Sequence, residues 1–380
     1  MIDAHRHGAV GDGVADDTQP LRDAIGEAVE CGGGLVNLKP GCYRTDTIAL
    51  PSHVTLRGEG AWSYRDPGST VLLPVRDDQP CLIDLSESRG GRLVDLGLHG
   101  EARGTGMHGV AVIRPRPDRK AKTKRAVGAG PPSRAERLPV AMAGDTHLQP
   151  LAGEQNIVID NCWIGLFSGS GVHLERSHVY CVRHSLIVYN GIDGIDASRS
   201  CDAWIMDNQV GFNGRYGMHI GSSTTITANR MEQNDQAGLR FNDFYVEDNV
   251  VTGNHFCSNR GPGIEMVRLH DEGNVRGVTI TGNHLRNSGC GMTDDIDRCC
   301  HIRLIDVAGV TCTGNMLHAL RGSQAPMSAM VIRGLADSVI QSNSMYKAAM
   351  AELIRDLGGH TNTVVRDNPG SVKQADDVNA

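Results

Sequence analysis

The chain has 380 residues, 47 of them glycine, with only 4% aromatic side chains and a formal net charge of −7. Abundant glycine and few aromatics suit tight turns and thin strands better than a helical bundle. The acidic balance offers no electrostatic case for nucleic acid or an anionic membrane surface, so neither is expected as a partner.

The first residues, MIDAHRHGAVGDG, hold no apolar run long enough for a signal-peptide core, and no later stretch approaches a membrane span. The eleven cysteines lack the spacing of a disulfide framework and read as reduced, mostly buried small apolar residues. Both features lead to the expectation of a cytoplasmic protein. His5 and His7, beside the first strand, are expected to belong to a cap and not to a ligand set.

Residues 8–30 place Asp16, Asp17 or Thr18 where they can cap a helix, with Leu21, Ile25 and Val29 recurring at helical spacing. Two strand-turn units follow, GGGLVNLKPGCYRT and HVTLRGEG, punctuated by Pro40, Gly41 and Gly58. Taken in order, GDGVADDT, the helix, GGGLVNLKPGCY and HVTLRGEG resemble the N-terminal signature of the pectate-lyase-like superfamily, which includes polygalacturonases, several polysaccharide lyases and phage tail-spike depolymerases. The resemblance implies an all-β fold, a right-handed parallel β-helix with an N-terminal capping helix at 17–30, and a saccharide as substrate.

From about 114 to 153 the pattern breaks into a cation-, proline- and glycine-rich stretch without apolar periodicity, expected to be a loop inserted between coils. Beyond it a repeat sets in: GVHL at 171–174, GIDA at 194–197, GMHI at 217–220, GLRF at 238–241 and GIEM at 263–266, spaced by 23, 23, 21 and 25 residues. A unit this short cannot bury its own apolar face, so the units must stack into a solenoid with a shared core. One domain is expected over 1–372, with a tail at 373–380. Asn208, Asn229, Asn254, Asn283, Asn315 and Asn343 recur in turn contexts and are expected to stack and satisfy backbone groups. Asn190, Asn213, Asn234 and Asn259 are expected to serve as turn residues.

In a strand, alternate side chains face opposite ways. The paired apolar residues of each repeat therefore point inward, and the residue between them points out. Those outward residues are His173, Asp196, His219, Arg240 and Glu265, and HIRL at 301–304 adds Arg303 in the same register. Adjacent members are expected about 4.8 Å apart. Asp196, between two histidines, can orient an imidazole and raise its basicity, while Arg240 and Arg303 can neutralise a substrate carboxylate and Glu265 can act as a second acid. Opposite charges on neighbouring strands also stabilise an exposed sheet without any function. Asp193, Tyr216, Glu175 and Asn242 are expected to line the same groove.

GIDGID at 191–196 is similar to the NTDGID segment of polygalacturonases, which implies a catalytic part for Asp193. The likeness stops in the next coil, where Arg215 and Tyr216 stand in place of that family's aspartates. Two-carboxylate glycosidases need acids roughly 5 to 9.5 Å apart, a range that Asp193 and Asp196 reach only if the turn between them bends favourably. The insertion SGCGMTDDIDRCC before His301 fits no zinc spacing and is expected to wall one end of the groove. No cofactor and no metal site are expected. The predicted function is acid–base chemistry on an anionic or polyhydroxylated saccharide, as a lyase, epimerase or hydrolase. A biosynthetic enzyme acting on a small molecule and a non-catalytic tail-spike-like module are the alternatives, and the oligomeric state stays open.

Overall fold

The computed structural model describes residues 1–60, 62–114, 154–320 and 323–374. The inserted stretch from 115 to 153 and the last six residues lie outside the described residues. The chain winds as a parallel β-helix: a 23-stranded ladder and a 12-stranded ladder run along the coil stack, and the pairings between named strands are parallel. No helix among the described residues is long and apolar enough to cross a membrane.

The register follows the sequence repeat. Val172 pairs with Ile195, Ile195 with Met218, Met218 with Leu239, and Leu239 with Ile264. All five are fully buried in one continuous apolar core. Unequal coil lengths leave this register intact because the differences are absorbed at bends, such as the shift between Ala197 and Cys201.

Two asparagine ladders hold the bends together. Asn208, Asn229, Asn254, Asn283, Asn315 and Asn343 each donate through Nδ2 to Oδ1 of the next, at 2.8–3.1 Å, and Asn343 continues to Asn368 at 2.9 Å. Asn190, Asn213, Asn234 and Asn259 form a second ladder at 2.8–3.0 Å. The residue before each rung is left-handed: Asp207, Ala228, Gly253, Gly282, Gly314 and Ser342 all have φ between 55° and 65°. Glycine meets that demand without strain, which explains the recurring T-G-N turns.

The helix Thr18–Glu30 covers the open first coil with Leu21, Ala24, Ile25 and Ala28. Val29, expected on that apolar face, is instead 48% exposed. The Asp16 carboxylate accepts the Thr18 amide, while Asp17 accepts the amides of Val10 and Gly11 and so ties the preceding loop to the helix. His7 bonds Glu27 of the helix at 2.7 Å, a cap contact as expected. Lys373, expected in the tail, is buried with its ammonium donating to the carbonyls of Leu320 and Ser323.

Asn254 makes or receives hydrogen bonds with both neighbouring rungs and with the carbonyls of Ile226 and Thr252. Asn254→Ala leaves buried amide and carbonyl groups unpaired, so urea denaturation is expected to show a loss of about 1–3 kcal/mol. An unchanged midpoint would mean that the ladder does not hold the stack.

Candidate active site

The outward residues stand on one face in consecutive register. His173 pairs with Asp196, Asp196 with His219, His219 with Arg240, Arg240 with Glu265, and Glu265 with Arg303. The column splits into two halves of different character.

The first half is open. A cavity of about 340 Å³ is lined by His173, Leu174, Glu175, Asp196, Ser198, Arg199, Arg215 and His219. Asp196 accepts from His173 Nδ1 at 3.1 Å and lies 3.7 Å from His219 Nδ1. It also accepts the Ser198 hydroxyl at 2.8 Å and the Ser198 amide at 3.2 Å. Burial raises the Asp196 carboxyl, but the His173 hydrogen bond and the two imidazoles outweigh it and hold the group well below the usual carboxylate range. One ionised carboxylate thus serves two rings.

The rings differ. Burial lowers His173, yet its hydrogen bond to Asp196 and the charges of Asp196 and Glu175 reverse that, and its pKa ends above the ordinary 6.5. In His219 burial prevails over the pull of Asp196, helped by the positive charges of Arg215 and Arg240, and its pKa ends below 6.5. His219 Nδ1 is buried and has no hydrogen-bond partner among the described residues. The surroundings therefore bias His173 towards the imidazolium and His219 towards the neutral imidazole, with one carboxylate between them.

The second half is closed. Glu265 is only 1% exposed and is held by Arg240 at 3.1 Å, Arg298 at 3.0 Å and Arg303 at 3.0 Å. Burial raises its carboxyl, but the three guanidiniums more than offset that, and the net shift is downward. An anion so enclosed is not placed to give or take a substrate proton. Arg240, itself 8% exposed, and Arg303 are spent on Glu265. The expectation that these three meet a substrate is corrected on that ground: the sequence shows charges in a row but not that a loop 33 residues away returns Arg298 to the same carboxylate. His301, in the strand Cys300–Ile305 that follows the loop, is fully buried, with burial lowering its pKa to about 3.

Asp193 is corrected likewise. It is fully buried, clamped by Arg215 through Nε at 2.8 Å and a terminal nitrogen at 2.5 Å, and it accepts the Tyr216 amide at 3.0 Å. It positions Arg215 beside the cavity and stays out of reach of a substrate. Tyr216 packs edge-on against His219 at 5.3 Å, with the Arg215 guanidinium 5.0 Å from its ring. Glu175 lines the cavity, 4.0 Å from His173 Nε2. Asn242 belongs to a neighbouring cavity of about 640 Å³, where its carboxamide oxygen accepts the amides of Phe244 and Tyr245.

Two residues were not foreseen. His108 stacks on His173 at 4.5 Å and 10°, its pKa lowered to about 4 by burial and by the His173 charge. It precedes the repeat, so periodicity gave no signal for it. Arg199 is exposed, lines both cavities and has no ion pair among the described residues. It sits three residues beyond Asp196, across the bend, where the alternation rule no longer applies. Asp193, Asp196 and His219 place one ligand atom each within 4.8 Å of one another and could hold a cation. Arg215 already neutralises Asp193 there.

The model for the right-handed β-helix region matches residues 151–306. The chain has the fold of a right-handed parallel β-helix. It is 28% identical over 220 residues to mannuronan C5-epimerase AlgE6 of Azotobacter vinelandii, covering 57% of this chain and 22% of that one. AlgE4 of the same organism is 25% identical over 218 residues, covering 57% and 35%. The chain thus spans about a third or less of the curated relatives it matches. Among solved structures, the AlgE6 A-module superposes with a TM-score of 0.69 at 19% identity, covering 98% of this chain and all of that one. PfbA, a surface adhesin of Streptococcus pneumoniae, superposes with 0.60 at 14% identity over 98% and 92%. At these identities the likeness is one of fold.

Two outcomes are expected. Asp196→Asn removes the charge that raises both imidazoles, so histidine proton resonances followed against pH should show His173 titrating lower than in the wild type and His219 lower still. An unmoved His173 would separate it from Asp196. Glu265→Gln leaves three guanidiniums facing a neutral amide, and denaturation should show a loss of about 3–5 kcal/mol, the range for breaking a buried ion pair from one side.

Proposed function

We propose that the chain is a carbohydrate-active enzyme that moves a proton at the carbon beside the carboxylate of a uronate unit in a polysaccharide, and that the outcome is epimerisation at C5. The observation that carries this reading is the pair of oppositely biased imidazoles flanking one carboxylate in an open cavity. The similarity to mannuronan C5-epimerases supports the choice of substrate class and of epimerisation over bond cleavage.

The chemistry follows from what such a reaction needs. A proton next to a carboxylate is acidic only when the negative charge that develops is neutralised. Arg199, without an ion pair among the described residues, supplies that charge, while Arg215 on the cavity wall stays bound to Asp193. Neutral His219 takes the proton and the imidazolium of His173 returns one, with Asp196 holding His173 through Nδ1. Their strands are two spacings apart, about 9.6 Å, which leaves room for a ring carbon between them. Elimination would use the same base but send the second proton to a departing oxygen. The eleven free thiols, with Cys31 and Cys42 exposed, favour a reducing compartment as the place of action.

The reading is tested by incubating the protein with polymannuronate in deuterium oxide. Deuterium at C5 of residues of inverted configuration, without unsaturated ends, is expected by nuclear magnetic resonance. Unsaturated ends would replace epimerisation by elimination, and no exchange on any uronate polymer would move the assignment to a small-molecule substrate. His219→Ala and His173→Ala should each lower kcat by about 10²–10⁴-fold, and Arg199→Ala should act mainly on KM. The rate should fall in acid with a midpoint below 6.5, as His219 becomes protonated, and fall in base with one above 6.5, as His173 loses its proton.

A further inference from the structure

The larger cavity, lined by Ser198, Arg199, Cys201, Asp202, Phe244 and His270 among others, shares Ser198 and Arg199 with the imidazole cavity. On its wall stands a group of side chains that the proton chemistry does not use. We propose that His178, Cys201 and Asp202 form a mononuclear site for a zinc-type divalent cation, with one coordination position left open beside this cavity.

The backbone builds the group in two steps. His178 and Cys201 are direct partners on neighbouring parallel strands, so their side chains project together. Asp202 follows Cys201 and would face the opposite way in a regular strand. It is left-handed, with φ 59°, as is Val179 at the matching place one coil earlier, with φ 56°. That kink turns consecutive residues to one side, and a stacked coil repeats it.

The separations then match a tetrahedral ion. Cys201 Sγ lies 3.5 Å from His178 Nδ1 and 3.5 Å from Asp202 Oδ2, and Asp202 Oδ2 lies 3.5 Å from His178 Nδ1. Zinc bonds of about 2.3 Å to sulfur and 2.0–2.1 Å to nitrogen or oxygen place the ligand atoms of a tetrahedron roughly 3.3–3.6 Å apart. Cys201 Sγ also lies 3.5 Å from His178 Nε2, so the ring now shows the sulfur its face, and it must turn about its own side-chain bonds to aim a nitrogen at the ion.

Competing charge is absent as well. Asp160, Asp193 and Asp306 each hold a guanidinium, whereas Asp202 pairs with no arginine or lysine among the described residues. Imidazole together with thiolate selects zinc or cobalt over calcium or magnesium. On binding, the metal–sulfur bond forms as the thiol proton leaves to solvent. Three protein ligands leave the fourth position to water or to a carboxylate or hydroxyl oxygen from the cavity. The site does not depend on what the imidazoles do, so failure of the epimerase reading leaves it standing.

The test uses the full chain without an added histidine tag, stripped with a chelator, reduced, and titrated anaerobically with cobalt(II). One equivalent should bind with a thiolate-to-cobalt charge-transfer band and the visible bands of a tetrahedral ion, both displaced by zinc. Cys201→Ser should abolish the charge-transfer band and weaken zinc binding by more than about 100-fold, the upper figure for losing even an outer partner of a ligand. Asp202→Asn should keep the band and weaken binding, which serves also if the cysteine variant folds poorly. Cys181→Ser, on the strand next to Cys201, should change nothing. No band in the wild type, or a band that survives Cys201→Ser, overturns the proposal; the Asp193, Asp196 and His219 group has no sulfur and cannot imitate it.

Discussion

Everything in this molecule depends on the stacking of one coil on the next at the spacing of parallel strands, about 4.8 Å. The apolar residues on either side of each outward position fix that register, since a slip of one residue would turn the core face to solvent. The asparagine ladders fix the bends, where alternation gives no guidance. The inner rungs are buried and hydrogen-bond the rungs on both sides, so coils of different length can still bring matching residues into line.

A column of polar residues on such a stack is an electrostatic unit, because each side chain has its neighbours one strand away. Glu265 shows one solution: three guanidiniums offset the several kcal/mol that burying a carboxylate costs, and the result is rigid and closed. Asp196 shows another, with two imidazoles biased in opposite directions about one carboxylate. One half of the column is thus closed by ion pairs and the other opens on a cavity. Arg240 marks the boundary, helping to lower the pKa of His219 while it is bound to Glu265.

The bends add what the strands cannot. Arg199 lies in the stretch where the register shifts between Ala197 and Cys201, and Asp202, just past it, is turned by its left-handed backbone; both line the larger cavity. The imidazole cavity and the larger one are joined there through Ser198 and Arg199. On the wall of the larger cavity the rings of Phe244 and His270 meet edge to face at 5.6 Å.

The repeat length and the alternation of apolar residues are local properties of the chain, and they were enough to determine the solenoid, the core face, the asparagine rungs and the order His173, Asp196, His219, Arg240, Glu265, Arg303. The capping helix was legible for the same reason, from spacing alone, although burial of Ala24 and Ala28 in place of Val29 depends on how the helix lies on the first coil. Which of the charged residues remain free is not a local property. Asp193 is taken by Arg215 from the next coil, Glu265 by Arg298 from a loop 33 residues away, and Arg199 escapes both because it stands beyond a bend. Only the tertiary structure decides such pairings, because they depend on distances between coils and on burial, which sets whether a carboxylate ends as an anchor or as a partner in proton transfer.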